Sequence, residues 1–485
     1  MAARQMKSHH LRYLASSLCA FGLGGAFSAC GDDHASGAPD GSVTPDARAA
    51  ADAPTSPDGP ANLSRHFTVR LENIAPWSLL KLSSARTKTT LIDGNLAPGE
   101  AYETRFTAAP GHRLSFAFML LESNDWFFAP DPAGLPLFEN GVPLSGDLTS
   151  RIKLWDAGTE LDQEPGVGPD TGTRQSTSVS GAADGNPNLR EVPASVVLAD
   201  GSTFARPSVA SMVRVTLLPP DSDGVFTLRF QNVSTTSTLV TSAGTQSVHL
   251  SPVIWAIHRG PDALFTKNAP VPANGFVYLA ESGQPDPLLD GLRFLRGVAT
   301  PLSPGVFVIH RGDVPLFTVG ASDSGRGLEA LAEDGQPAAL AVALAADPMV
   351  RSGVFDRPLG APVAGPAMAG DAFELQFDAM PGDRLSFATM FGASNDWFFA
   401  PRPSGIELFL GPDARWGDVT SEVRLYDLGT ESDQELDVGS STATQQSAPG
   451  MGGTDSNALV RVVAPLLYDT PVAEHLRVTI TPSAP

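Results

Sequence analysis

Residues 113–130 read RLSFAFMLLESNDWFFAP, and residues 384–401 read RLSFATMFGASNDWFFAP. Leu114, Phe116 and Phe118 alternate with smaller residues at the period of a β-strand, and the Ser-Asn-Asp that follows reads as a turn before a second, aromatic strand. Each copy sets one acid, Asp125 or Asp396, beside three aromatics, which is unfavourable for a charge that has no partner. The same alternation appears in Phe67-Val69-Leu71 and Val213-Val215-Leu217. Forty-two prolines exclude long helices; short ones are expected only around 325–345 (GRGLEALAEDGQPAALAVALA) and 274–283 (NGFVYLAESG). The pattern predicts an all-β chain of antiparallel sandwiches.

Outward from these strings, the chain repeats itself. The shift of 271 residues that lays Asp125 on Asp396 also lays GDLTSRIKLWDAGTELDQE (146–164) on GDVTSEVRLYDLGTESDQE (417–435) without a gap. HFTVRLENI (66–74) resembles VFTLRFQNV (225–233), and MVRVTLLP (212–219) resembles HLRVTITP (475–482). Two related sandwiches are therefore expected, over 65–219 and 224–482. A second shift, of 52 residues, lays 251–290 on 303–342, which reads as a tandem-duplicated block inside the second sandwich and missing from the first.

The chain has 485 residues, 53 acids and 32 bases, for a net charge of −21. It has no long basic run, which argues against nucleic acid as a partner. Lys7 and Arg12 precede an apolar stretch, Leu14–Phe27, that ends in small residues before Cys30, the pattern of an export signal over 1–29. FSAC-Gly31 is similar to the lipobox of bacterial lipoproteins, which implies a lipid on Cys30, the one cysteine left after cleavage. Residues 30–64, rich in Ala, Pro, Asp, Gly and Ser, read as a disordered tether. No later segment reaches the roughly eighteen apolar residues of a spanning helix. The expected protein is exported and meets the membrane only through its anchor, in the periplasm or at the cell surface.

Four acids keep the same spacing in both copies: Glu103, Asp125, Asp156 and Glu160, then Glu374, Asp396, Asp427 and Glu431. Acids from separated segments suit an oxygen-seeking divalent cation, and calcium takes six to eight oxygens. Zinc fits less well, because neither His nor Cys stands in these strings. Two other readings stay open. In one, Asp125 caps a turn, Asp156 forms an Asx-turn, and both glutamates are solvated; in the other, paired carboxylates act on a glycan.

SNDWFFAP, WDAGTE, YDLGTE and SPGVFVIHRGDVPLFTVG with GLEALAEDG resemble the spondin domain, the amino-terminal module of F-spondin and mindin also found in exported bacterial proteins. The resemblance implies a C2-like β-sandwich with calcium at one end, in two copies. It implies Asp125 and Asp396, Asp156 and Asp427, and Glu103 and Glu374 as the metal ligands, with Glu160 and Glu431 standing just beyond them. It also implies a surface binding or adhesion role toward a glycan or a protein.

Other features carry less. His258 and His310, in the duplicated IHRG, read as structural histidines at strand ends. Arg311-Gly312-Asp313 spells RGD, a tripeptide that recurs by chance. GVGPDTG lacks the lysine of a phosphate loop. No catalytic set stands out, so the chain is expected not to be an enzyme. The rivals to a calcium-bound binding module are a hydrolase of envelope polysaccharide and a passive spacer.

Overall fold

The computed structural model describes residues 64–176, 181–312, 316–463 and 472–483. The expected signal peptide, Cys30, the tether before Ser64, and Asp313 of the RGD tripeptide lie outside the described residues. The described chain is 38% strand and 11% helix, with every strand pairing antiparallel, as the alternation predicts.

The elements that build the body are, in chain order, β1 (Arg65–Asn73), β2 (Leu79–Ala85), β3 (Ala101–Thr107), β4 (Arg113–Met119), β5 (Trp126–Ala129), β6 (Lys153–Asp156), β7 (Val213–Leu218), β8 (Val225–Asn232), β9 (Val253–His258), helices α1 (Phe276–Ser282) and α2 (Asp286–Leu292), β10 (Leu302–His310), helices α3 (Leu328–Asp334) and α4 (Ala338–Ala345), β11 (Val350–Phe355), β12 (Ala372–Ala379), β13 (Arg384–Phe391), β14 (Trp397–Pro401), β15 (Val423–Asp427) and β16 (Leu476–Pro482).

In the first sandwich, a sheet ordered β3-β8-β7 faces a sheet ordered β6-β5-β4-β9-β2. Phe116, Phe118, Phe128, Phe226 and Phe230 fill the space between them. The second sandwich repeats this with β12-β1-β16 facing β11-β10-β13-β14-β15, over Phe67, Phe373, Phe387 and Phe399. Each larger sheet is covered on its other face as well. Phe127 and Trp155 pack under Phe276, Leu279 and Leu288 of α1 and α2, and Phe398 and Tyr426 pack under Leu328, Leu331 and Leu340 of α3 and α4. A sheet buried on both faces needs strands that are apolar throughout, which is why β4 and β5 read as nearly unbroken hydrophobic runs. Both α1 and α3 stop at a left-handed glycine, Gly283 (φ 65°) and Gly335 (φ 65°), so that the next helix can fold back.

The strand pairing does not follow the expected division into 65–219 and 224–482. β1 lies in the second sandwich, paired with β12 (Phe67 opposite Phe377) and with β16 (Leu71 opposite Val478). Its equivalent in the first sandwich is β8, lodged between β3 and β7. The duplicated block is also shared out. Residues 251–290 give β9, α1 and α2 to the first sandwich, where β9 pairs with β2 and β4, and 303–342 give β10, α3 and α4 to the second. The first sandwich is thus complete, and the second is built from 65–73 together with the chain after residue 302. Similarity between strings shows which strands are equivalent but not which strands pair.

A buried asparagine marks the end of β1 and of β8. Asn73 Nδ2 donates to the carbonyls of Thr300 (2.8 Å) and Ala367 (2.9 Å), and Asn232 Nδ2 donates to those of Leu96 (2.9 Å) and Val248 (2.7 Å). Each ties two loop carbonyls to the end of its strand.

Candidate metal centre

The site in each sandwich grows from two strand ends brought together by the β5–β6 ladder, in which Trp126 lies opposite Asp156. Ser123 closes the turn ahead of β5: its Oγ donates to the Leu120 carbonyl (2.6 Å) and accepts from the Trp126 N–H (3.0 Å). That turn delivers Asp125 fully buried beside the loop that follows Asp156.

Half of Asp125 is well served. Its Oδ2 accepts from the Thr159 N–H (2.9 Å), the Thr159 hydroxyl (3.1 Å) and the Glu160 N–H (3.1 Å). Its Oδ1 is buried and accepts no hydrogen bond. Asp156 Oδ1 accepts from the Gly158 N–H (2.6 Å) in an Asx-turn, and Gly158 takes φ 69° against the carbonyls of Asn186 and Asn188, where a side chain would collide. Asp162 Oδ1 accepts from Trp126 Nε1 (2.7 Å). Arg190 pairs with Asp156, lies 2.5 Å from Asp184, and is 3.9 Å from Asp162.

One oxygen from each of Asp125, Asp156 and Asp162 lies within 4.8 Å of the others. Oxygens bound to one cation at about 2.4 Å stand at most about 4.8 Å apart, so a single ion could touch all three. Two acids border the trio. Glu160 is buried with Oε1 accepting from the Gly181 N–H (2.6 Å), and the Glu281 carboxyl of α1 lies against Thr159 and Glu160 with a buried Oε2 that accepts no hydrogen bond.

The second sandwich repeats these hydrogen bonds, but among the described residues only Asp125, Asp156 and Asp162 bring three carboxylate oxygens within 4.8 Å of one another. Asp396 Oδ2 accepts from Thr430 N–H (2.9 Å), Thr430 Oγ1 (3.2 Å) and Glu431 N–H (3.1 Å), and its Oδ1 is again buried with no donor. Asp427 Oδ1 accepts from Gly429 N–H (2.7 Å), and Asp433 accepts from Trp397 Nε1 (2.9 Å). Arg461 pairs with Asp427, lies 2.6 Å from Asp455, and is 3.7 Å from Asp433. Glu333 of α3 occupies the place of Glu281, facing Thr430 and Glu431.

Each centre gathers more carboxylates than its one arginine neutralises. Burial pushes Asp125 and Asp156 upward together, and like-charged neighbours, Asp162 for the first and Asp125 for the second, add to the rise. Burial likewise raises Asp427, Glu281 and Glu333, each to about 7. Desolvation penalises the charged form, and a positive charge among these groups would offset that penalty.

Of the expected ligands, Asp125 and Asp156 meet in the trio, and Asp396 and Asp427 are neighbours in the second sandwich. Glu103 and Glu374 do not. Strand alternation turns Glu103 outward on β3, where it pairs with Arg229 (3.0 Å), and Glu374 on β12 accepts from Gln376 (2.7 Å). Both stand on the sheet opposite the centre. The third carboxylates are Asp162 and Asp433, which also coincide under the 271-residue shift, in GTELDQE and GTESDQE. Glu281 and Glu333 coincide under the 52-residue shift, in LAESG and LAEDG.

His258 Nε2 meets the Ser115 hydroxyl (2.8 Å) and its Nδ1 donates to the Gly260 carbonyl (2.5 Å); His310 meets Ser386 (2.9 Å) and the Gly312 carbonyl (3.0 Å). Burial pushes His258 down to about 4. These bonds fasten strand ends. Arg311 of the RGD string pairs with Asp383 (2.6 Å).

Among the described residues no helix is long and apolar enough to cross a membrane. No protein-family model matches the chain, and no curated protein is significantly similar to it.

Proposed function

We propose that each sandwich holds a divalent cation, calcium by the oxygen-only donor set, and that the chain acts as a calcium-stabilised binding module. What supports this reading is the buried, donorless oxygen of Asp125 in one copy and of Asp396 in the other, each on an aspartate that neighbours further carboxylates. A calcium ion there would supply the positive charge that Arg190 or Arg461 alone does not. Asp125, Asp156 and Asp162 would hold it in the first sandwich, and their equivalents under the 271-residue shift, Asp396, Asp427 and Asp433, would do so in the second once Asp433 is drawn in. Their work is structural: they tie the β4–β5 turn to the loop after β6 and so fix the surface at that end of the sandwich.

The spondin resemblance extends the reading to an exported, lipid-anchored protein whose ordered loops engage a glycan or a protein at the cell surface. Extracellular modules bind calcium at about 10⁻⁴–10⁻³ M, which suits such a place. Carboxyls with raised pKa values are also what a glycan hydrolase needs. Asp125 and Asp156, at 0% and 3% exposure, give a sugar no approach, which favours the cation over catalysis.

The test is isothermal titration of the exported chain, after chelation, with calcium and separately with magnesium and zinc. Two equivalents of calcium, falling to one in Asp125→Asn or Asp396→Asn, are expected. No calcium heat and no calcium-dependent change in melting would refute the reading.

A further inference from the structure

The two centres differ in how the loop carrying the third carboxylate is fastened. In the first sandwich the loop after Asp162 stays at home: Glu164 accepts from the Ser242 N–H (2.6 Å) and the Ser242 hydroxyl. Among the described residues the second sandwich has no counterpart of Ser242, because the chain after β1 runs directly into β2. Its loop after Asp433 crosses to the first sandwich instead.

Glu435, equivalent to Glu164, lies 2.6 Å from Lys81 Nζ and accepts from the Thr107 hydroxyl (2.5 Å). Asp437 stands where the first copy has Gly166, with φ 60°, and is buried. Its carboxylate takes a two-pronged contact from Arg259 (Nε 2.7 Å, Nη2 2.5 Å) and a further hydrogen bond from His112 Nε2 (3.0 Å). His112 Nδ1 already accepts the Ala109 N–H (3.1 Å), which leaves Nε2 as the donor. A buried, bidentate, charge-assisted contact of this kind is among the stronger polar ones. The matching face of the second sandwich is built differently. There Asp383 replaces His112 and neutralises Arg311 and Arg351 within the same sandwich.

The same short loop therefore carries Asp433 at one end and the Glu435–Asp437 latch at the other. Asp433 keeps 44% of its side chain exposed, whereas Asp162 keeps 13%. As Gly166 and Gly172 do in the first copy, the Asp437 N–H donates to the Ala393 carbonyl (2.8 Å) and the Ala443 N–H to the Ser394 carbonyl (2.9 Å), so the latch segment is joined to the turn that delivers Asp396.

We infer that docking of the Glu435–Asp437 turn on Lys81, Thr107, His112 and Arg259 positions Asp433, so that calcium affinity at the second centre depends on residues of the first sandwich while the first centre is self-sufficient. This rests on the calcium reading above. Coupling of this kind is reciprocal: calcium at the second centre tightens the junction between the sandwiches by the same factor.

The test is calcium titration of the full exported chain in two backgrounds. Asp125→Asn leaves only the second centre, and Asp396→Asn leaves only the first. Adding Lys81→Ala, a change in the other sandwich, is expected to weaken calcium about five- to tenfold in the Asp125→Asn background and to leave the Asp396→Asn background unchanged. Glu435→Gln is expected to do the same, and the two together no more than either alone, because they break one contact. Equal affinity with and without these changes at the second centre would overturn the inference while leaving the calcium reading standing. A matching loss at both centres would also overturn it. Absence of calcium binding in both backgrounds before the latch is touched would remove the calcium reading itself.

Discussion

Replacing Asp125 by asparagine is expected to stabilise the first sandwich when calcium is absent and to lose most or all of that advantage over the parent when calcium is abundant. The side chain keeps its shape. Its amide oxygen takes over the three donors at Oδ2, from Thr159 N–H, Thr159 Oγ1 and Glu160 N–H. Its NH₂ then takes the place of the orphan Oδ1, and the charge that repels Asp156 and Asp162 is gone. A buried acceptor without a donor costs about 1–3 kcal/mol, so the chelated variant should gain on that scale. In calcium at tenfold excess over Kd the parent gains about 1.4 kcal/mol per site, which the variant forgoes. For a sandwich of this size that is about 3–6 °C in Tm. Thermal melts of parent and variant, in chelator and in millimolar calcium, give four curves in which the variant's lead over the parent must shrink by about 1.4 kcal/mol on adding calcium. If variant and parent differ by the same amount in both, Asp125 is only a turn cap, and the argument from the orphan oxygen fails.

Leu71→Ala should cost about 2–5 kcal/mol, and hydrogen exchange should rise in Ala372–Ala379 and Leu476–Pro482 and not in Ala101–Thr107, because β1 belongs to the second core. In chelator, stability should fall as pH rises from about 4.5 to about 7: Glu281, Glu333 and Asp427 have folded-state values near 7, so the folded chain binds more protons than the unfolded chain across that window. Chemical denaturation at several pH values checks this, and calcium affinity should rise over the same range. Gly158→Ala forces a side chain into the Asn186 and Asn188 carbonyls at φ 69°; a loss of about 1–3 kcal/mol and weaker calcium at the first centre alone are expected by titration.

Much of the centre is legible because a duplication within one chain acts as its own comparison. Spacing alone picks out the turn before Asp125 and the Asp-x-Gly-Thr loop of Asp156. Asp162 lies inside an aligned string yet escapes notice, since a lone acid in a polar loop looks solvated until Trp126 is seen to reach it. Glu281 is hidden because it arrives on a helix from a different repeat, and Arg190 because it stands outside every aligned string. Glu103 misleads through its constant spacing: a strand residue keeps its distance from the site in sequence whichever face it points to, and here it points to solvent. The path of β1 is beyond reach for a related reason. Phe67, Val69 and Leu71 suit the groove of either sandwich, and only the pairing reveals which one takes them.

That ambiguity matters while the chain folds. Asn73 is separated from the start of β12 by 299 residues but from the start of β3 by only 28. Closing the longer loop costs about 2 kcal/mol more in chain entropy, so the first strand meets the wrong groove sooner than the right one. The true occupant of that groove, β8, forms a local hairpin with β7 and evicts the intruder only once it is in place. Refolding should therefore show a slow phase that shortens when residues 65–73 are deleted, with the stalled species holding the amino-terminal strand in the cavity that β8 later fills.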